Sequence, residues 1–357
     1  MKLLKKISKL GLTILFTGIA FSAVAADDSK SIKKALSAKA MKNDHYTFEL
    51  ADNVNRTRVA FHNRFGITLI GDLYTPKNAS GKMPGIAIAG PFGAVKEQAS
   101  GFYANRLASL GFVTLAFDPS FTGDSGGNVR DVASFDINTD DFSAAVDYLS
   151  VYAAVDPEKI GIIGICGWGG FALNTAAIDT RIKATAAITM YDIHRVQANG
   201  YNDVNDNEES RLAIKKSLNA VRIDDYTQNK AALAGGLPET LTGDEPQFLK
   251  DYWEYYKTPR GYHKNSVNSN GGWRTTSSLS LINTPILAYA DEIESSVIII
   301  HGENAHSRYM GETAFGKLKG DNKELVIVPG ANHTDLYDNK EKIPFDKLTD
   351  FFRTNLK

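Results

Sequence analysis

The 357-residue chain carries 40 Lys and Arg against 41 Asp and Glu, and this balance excludes a nucleic-acid or anionic-membrane binder built on a basic surface. Its length and ordinary globular composition allow a large buried core, and a single cysteine, Cys166, excludes any disulfide within the chain. Small-molecule chemistry is the expectation that remains.

The chain opens Met1-Lys2-Leu3-Leu4-Lys5-Lys6, runs apolar from Leu10 to Val24 and passes through Ala23-Val24-Ala25. A basic start, a short apolar stretch and an A-x-A site predict a secretory signal peptide over residues 1–25, cut after Ala25 or Ala26. The apolar run is short and interrupted compared with the roughly 20 residues that span a bilayer, so an uncleaved anchor is the lesser alternative. The mature chain is expected in the periplasm or outside the cell, without a membrane contact after cleavage. A lone cysteine kept in an oxidising compartment then calls for a role.

Residues 26–44 are charged and small, and predict a mobile or loosely helical lead-in. Val59 to His62 and Ile67 to Tyr74 read as a hairpin around Phe65-Gly66, closed by a turn at Thr75-Pro76-Lys77-Asn78. From Pro84 apolar strands alternate with helical stretches: strand 85–89, helix 97–110, strand 113–117, helix 140–152, strand 160–165, helix 171–179 and strand 182–190. Continuous apolar strands between helices predict a mostly parallel sheet covered on both faces, an α/β fold. Between Asp192 and about Ser280 the alternation stops and aromatic residues cluster at Tyr252, Trp253, Tyr255, Tyr256, Tyr262 and Trp273. This divides the mature chain into a core of residues 45–192 and 281–357 and a cap or lid inserted at 193–280. The cap aromatics either line an apolar pocket or form the cap's own core. Strand 297–300, helix 312–319, strand 325–328 and an amphipathic helix over 343–356 complete the core.

Cys166 sits in Gly164-Ile165-Cys166-Gly167-Trp168-Gly169-Gly170, directly after an apolar strand. A tight strand-to-helix turn of this kind presents a nucleophile at the carboxyl end of the sheet, and its glycines prevent collision with the strand and the following helix. The alternative is a buried structural thiol. A thiol nucleophile needs a base, and the base an orienting acid. His333, in Pro329-Gly330-Ala331-Asn332-His333 after the last strand, takes the place of the base on the same sheet edge. For the acid, Asp192 at a strand end is preferred to Glu303 in His301-Gly302-Glu303-Asn304-Ala305-His306-Ser307. Oxyanion donors are expected from the N–H of Gly167 and, because Pro91 has no N–H, from that of Phe92. Ser125 is a weaker alternative nucleophile. No cofactor is called for, and the spacing of His301, Glu303 and His306 does not by itself make a metal site.

These motifs resemble the dienelactone-hydrolase branch of the α/β-hydrolases, which also uses cysteine in a Gly-x-Cys-x-Gly-Gly turn. The wider pattern is similar to exported YcjY-like proteins grouped with fungal polyketide transferases and thiohydrolases. It runs from Gly71-Asp72-Leu73-Tyr74 and Gly90-Pro91-Phe92-Gly93 through Gly164-Ile165-Cys166-Gly167 and Met190-Tyr191-Asp192 to His333. The resemblance implies an α/β-hydrolase fold and a small acyl substrate: an activated ester, lactone or thioester. Acyl transfer and a binding protein with little turnover are the alternatives. Two departures bear on this: Ala305 stands where the family's usual acid falls, and Trp168 occupies a place normally held by a small residue, which predicts an opened turn or an indole over the site.

Overall fold

The computed structural model describes residues 24–37 and 44–357. Apart from Val24 and Ala25, the expected signal peptide therefore lies outside the described residues. A helix over Val24–Ala35 runs from the end of the expected signal peptide into the lead-in. Among the described residues no helix is long and apolar enough to cross a membrane.

Eight strands form one sheet: β1 (Val54–His62), β2 (Thr68–Pro76), β3 (Met83–Ala89), β4 (Val113–Phe117), β5 (Val155–Ile165), β6 (Ile182–Ile188), β7 (Ser296–Gly302) and β8 (Lys323–Val328), in the order β1-β2-β4-β3-β5-β6-β7-β8. β2 runs antiparallel to β1 and β4, and the remaining neighbours are parallel. The β1–β2 turn is made by Asn63, whose Oδ1 accepts from the N–H groups of Phe65 and Ile67. β2 extends through Pro76 instead of turning at Thr75. Its missing N–H is tolerated because Pro76 lies beyond the last β4 pair, Tyr74 with Thr114.

Both faces of the central strands are buried, which is why they read as unbroken apolar runs. Ala87, Ile162, Val297 and Ile299 pack with helices Phe135–Val151 and Gly167–Ile178 on one side. Ile86, Ile88, Ile163, Ile298 and Ile300 pack with helices Ala99–Ser109 and Phe345–Asn355 on the other. Three helix starts lie well ahead of expectation: Phe135 ahead of Asp140, Gly167, directly after Cys166, ahead of Phe171, and Arg308 ahead of Glu312. Between β6 and β7 the chain leaves the sheet to form helices Ile193–Asn199, Glu208–Gln228 and Gln247–Lys257.

One polar network is buried beside the sheet. Arg58 on β1 pairs with Asp72 on β2 at 2.9 Å, Glu97 at 3.0 Å, Asp124 at 3.2 Å and Asp44 at 2.5 Å. Lys96 pairs with Glu97 at 2.6 Å, Asp124 at 2.7 Å and Asp118 at 2.9 Å. Burial pushes the Glu97 carboxyl upward, and Lys96 and Arg58 oppose that rise. Asp44, Glu97 and Asp124 have oxygens close enough to hold a metal ion, but the two cations already occupy that space. Removing a buried cation strands its partners, and Lys96→Met is expected to lower unfolding free energy by about 3–5 kcal/mol in urea titrations. A loss below about 1 kcal/mol would mean that the carboxyls neutralise themselves by taking up protons.

Candidate active site

β5 ends at Ile165, and Cys166 turns the chain into the next helix with φ 58° and ψ −125°, a conformation that costs a non-glycine residue on the order of 1–3 kcal/mol. Three backbone bonds hold it: Cys166 N donates to Ile188 O at 2.9 Å, while Cys166 O accepts from Tyr191 N at 2.9 Å and Gly169 N at 2.8 Å. The elbow is thus stitched to the end of β6. A Cβ on Gly164 would fall on the Trp168 carbonyl, and one on Gly167 would lie 2.7 Å from the Phe92 Cβ. The glycines are therefore needed for close approach.

The backbone N–H groups of Gly167 and Phe92, the two expected oxyanion donors, both reach the Cys166 sulfur, as do the hydroxyls of Tyr337 and Tyr252. Burial pushes the thiol above its ordinary range, and hydrogen bonding at the sulfur opposes the rise. The donor loop is itself fixed: Asn268 Nδ2 donates to Phe92 O at 2.8 Å, and Ser266 Oγ to Gly93 O at 2.9 Å. The Phe92 ring stacks on Trp273 at 4.5 Å and on Phe171 at 5.7 Å.

His333 is buried on the same edge. Its Nε2 lies 3.0 Å from the Tyr337 hydroxyl, and its Nδ1 lies 2.6 Å from Ser307 Oγ and 3.0 Å from Thr189 Oγ1. Burial, with His306 and His301 nearby, holds the imidazole well below its usual pKa and hence neutral. Neither expected acid is bonded to it. Asp192 caps helix Ile193–Asn199, accepting from Arg195 N at 2.9 Å, and Glu303 accepts from Gly330 N at 2.8 Å, bracing the loop that leads to His333. The physical reason is satisfaction: a strand-end aspartate next to unpaired helix N–H groups binds those first.

The structure also places three other residues that the sequence singled out. Trp168 does not cover the site; its indole is 1% exposed and packs among Phe117, Phe142 and Phe171, beneath the turn. Ser125 is tied into the loop, its Oγ donating to Asp118 O at 2.6 Å and accepting from Ile70 N at 2.8 Å. His301 is a core residue with Nε2 on Met190 O at 3.0 Å. The cap aromatics divide: Tyr252, Tyr256 and Trp273 line a cavity of about 400 Å³ that opens on Cys166, whereas Tyr255 packs under Tyr337. Sequence reasoning missed Ser307, Thr189 and Tyr337. Ser307 and Tyr337 were detectable only by position, one in the loop after β7 and the other four residues beyond His333.

Comparison with known proteins agrees with this fold. The PET hydrolase-like family matches residues 29–204. The chain is 53% identical to protein PA2218 of Pseudomonas aeruginosa over 312 residues, 87% of this chain and 83% of that one. The crystal structure of PA2218 superposes with a TM-score of 0.84, covering 87% of this chain and 97% of that one. YcjY of Escherichia coli is 32% identical over 308 residues, 85% of this chain and 99% of its own. The chain belongs to the α/β-hydrolases, in one family with PA2218 and YcjY. Thiohydrolase aneE of Aspergillus aculeatus is 32% identical over 139 residues, 38% of this α/β-hydrolase and 43% of that one.

Because Asn caps a helix as well as Asp does, Asp192→Asn is expected to leave turnover of an activated ester within about twofold of the parent. Ser307→Ala, which strips the nearer Nδ1 partner, is expected to lower kcat by about tenfold or more. Parallel steady-state kinetics on the two variants checks the assignment, and a reversed ranking would return the acid role to Asp192.

Proposed function

We propose that this hydrolase of ester or thioester bonds works through Cys166 as nucleophile, with His333 managing the proton, on activated esters, lactones or thioesters outside the cytoplasm. The observation that carries the reading is Cys166 at φ 58° on the floor of an apolar cavity, with two backbone N–H groups at its sulfur. The basic, apolar and A-x-A opening of the chain supports export.

In acylation the sulfur attacks the substrate carbonyl carbon. The oxygen that becomes negative sits where Gly167 and Phe92 donate, each such donor being worth about 3 kcal/mol of barrier. Collapse expels an alcohol or thiol, and water then cleaves the acyl-sulfur bond. The ring of hydroxyls around His333 suits a thiol. A thiol's ordinary pKa of about 8.5 lies far below that of an aliphatic hydroxyl, and burial raises either nucleophile, so the base needs less help from a carboxylate than it would against a serine. Tyr252, Tyr256 and Trp273 make the acyl side of the cavity apolar, which favours a neutral acyl group over a peptide.

Cys166→Ala is expected to abolish turnover of p-nitrophenyl acetate and of an acyl thioester, and mass spectrometry of the rapidly quenched parent should show an acyl adduct on Cys166. The depressed pKa of His333 fixes the sign of the pH dependence. The neutral, proton-accepting imidazole is present above that pKa, so kcat/KM is expected to stay level as pH falls through about 6.5 and to drop only below it. Full activity in Cys166→Ala, or an adduct on another residue, would refute the assignment.

A further inference from the structure

The sulfur and the imidazole do not meet directly in the hydrogen-bond network; the Tyr337 hydroxyl stands between them. It lies 3.0 Å from His333 Nε2 and interacts with Cys166 Sγ, and both Tyr337 and Cys166 face the cavity. Tyr337 belongs to the short helix Asp335–Asp338, and the four-residue spacing from His333 brings the two side chains together. The ring is fully buried, wedged against Tyr255 at 5.0 Å and His333 at 5.4 Å. It therefore has no freedom to swing aside and let the imidazole reach the sulfur.

We propose that Tyr337 is a catalytic residue whose hydroxyl carries the proton between Cys166 Sγ and His333 Nε2. The proposal rests on the Cys166 and His333 reading given above. A phenol has one proton and two neighbours here, so the chain of bonds has two directions. In the resting state the thiol S–H points to Tyr337 Oη, and the Tyr337 O–H points to Nε2. As the S–C bond to the substrate forms, the thiol proton passes to Oη while the phenolic proton passes to Nε2. Tyr337 ends neutral, as it began, and His333 becomes imidazolium. The reverse transfer delivers a proton to the departing oxygen or sulfur as the substrate's own bond breaks, and the same path accepts a proton from water in deacylation. Charge balances at each stage without Tyr337 ever becoming a free phenolate, a species its burial opposes strongly.

The other side of the imidazole supports this direction. Ser307 and Thr189 both contact Nδ1, so an Nδ1–H donated to either hydroxyl leaves Nε2 as the acceptor that Tyr337 needs. The titratable groups facing His333 are His306 at 4.9 Å between ring centroids, Tyr252 at 5.4 Å, Tyr337 at 5.4 Å and Tyr191 at 6.1 Å. His301 acts on it at longer range. Burial keeps His306 neutral by lowering its pKa to about 4; Tyr252 Oη is turned to His306 Nε2 at 3.4 Å, and among the described phenols it is Tyr337 that bonds the His333 ring, at 3.0 Å from Nε2.

The test is the rate at which iodoacetamide alkylates Cys166 in the full chain, followed from mildly acidic to alkaline pH. The parent is compared with Tyr337→Phe, His333→Ala and a protein carrying fluorotyrosine at position 337, whose phenol is more acidic. A working relay predicts that Tyr337→Phe slows alkylation at neutral pH by about 10²-fold, as His333→Ala does, and that fluorotyrosine displaces the pH profile. Should Tyr337→Phe react at the parental rate while His333→Ala is slow, the relay is wrong and the base assignment survives. If both react like the parent, the base assignment falls with it. Were Tyr337→Phe to unfold, the fluorotyrosine protein decides alone, because it keeps the packing and the hydroxyl: an unmoved profile overturns the relay.

Discussion

The site depends on one strained residue. Cys166 holds a left-handed φ that an unrestrained cysteine would leave, and it does so because its own N–H and C=O are bonded to β6 and to the segment after it. Those bonds reference the sulfur to the sheet, not to a mobile loop. Every other part of the site is then measured from the same edge: Thr189 leaves β6, Ser307 follows β7, and His333 and Tyr337 follow β8. A parallel sheet gathers these positions because its strands all end on one side.

Phe92, the proposed second oxyanion donor, lies in the loop after β3, and here the buried ion network matters. Lys96 and Glu97 lie four and five residues beyond Phe92, and their pairs with Arg58, Asp118 and Asp124 clamp one end of the donor loop. Lys96 N also donates to Asp118 Oδ1 at 2.8 Å. The inserted segment grips the other end through Asn268 and Ser266. A network of this kind is an uncertain source of net stability, since desolvation offsets much of the attraction. Its better-supported effect in this molecule is geometric. It joins β1, β2 and the loops after β3 and β4 into one rigid corner, on which a backbone N–H can be aimed.

Much of the framework was legible because its signals are local and periodic. Val113–Phe117 matched residue for residue, and the runs in β3, β5 and β7 could hardly be anything but doubly covered strands. The glycine spacing around Cys166 was readable for the same reason, since steric demand at a tight turn is written in adjacent positions. The orienting partner of His333 was not readable, because that choice is a competition settled in three dimensions. Asp192 looked suitable from its strand-end position, but an N-cap claims it; Glu303 had the reach, but the loop amide of Gly330 claims it. Ser307 and Thr189 won the place, and hydroxyl residues announce no role in sequence. Trp168 misled for the complementary reason. A large residue beside a nucleophile suggests a covered site, yet the helix starting at Gly167 directs it beneath the turn, into a ring of phenylalanines.

The result is a site in which the groups touching the sulfur and the imidazole are neutral: two peptide N–H groups and four hydroxyls. Forming a thiolate and an imidazolium there before substrate arrives would require burying two charges without a carboxylate to offset either, and burial already pushes both groups toward their uncharged forms. On the proposed mechanism, charge separation is affordable only while the negative end moves onto the substrate oxygen, toward the N–H groups of Gly167 and Phe92. The thiol thus remains a thiol until a carbonyl electrophilic enough to draw the electron pair is in contact. That is a physical reason for a lone cysteine to resist indiscriminate oxidation, because the oxidisable species is the thiolate. It also places the burden of reactivity on the substrate, which is why a good leaving group, rather than a particular acyl shape, is the first requirement this architecture imposes.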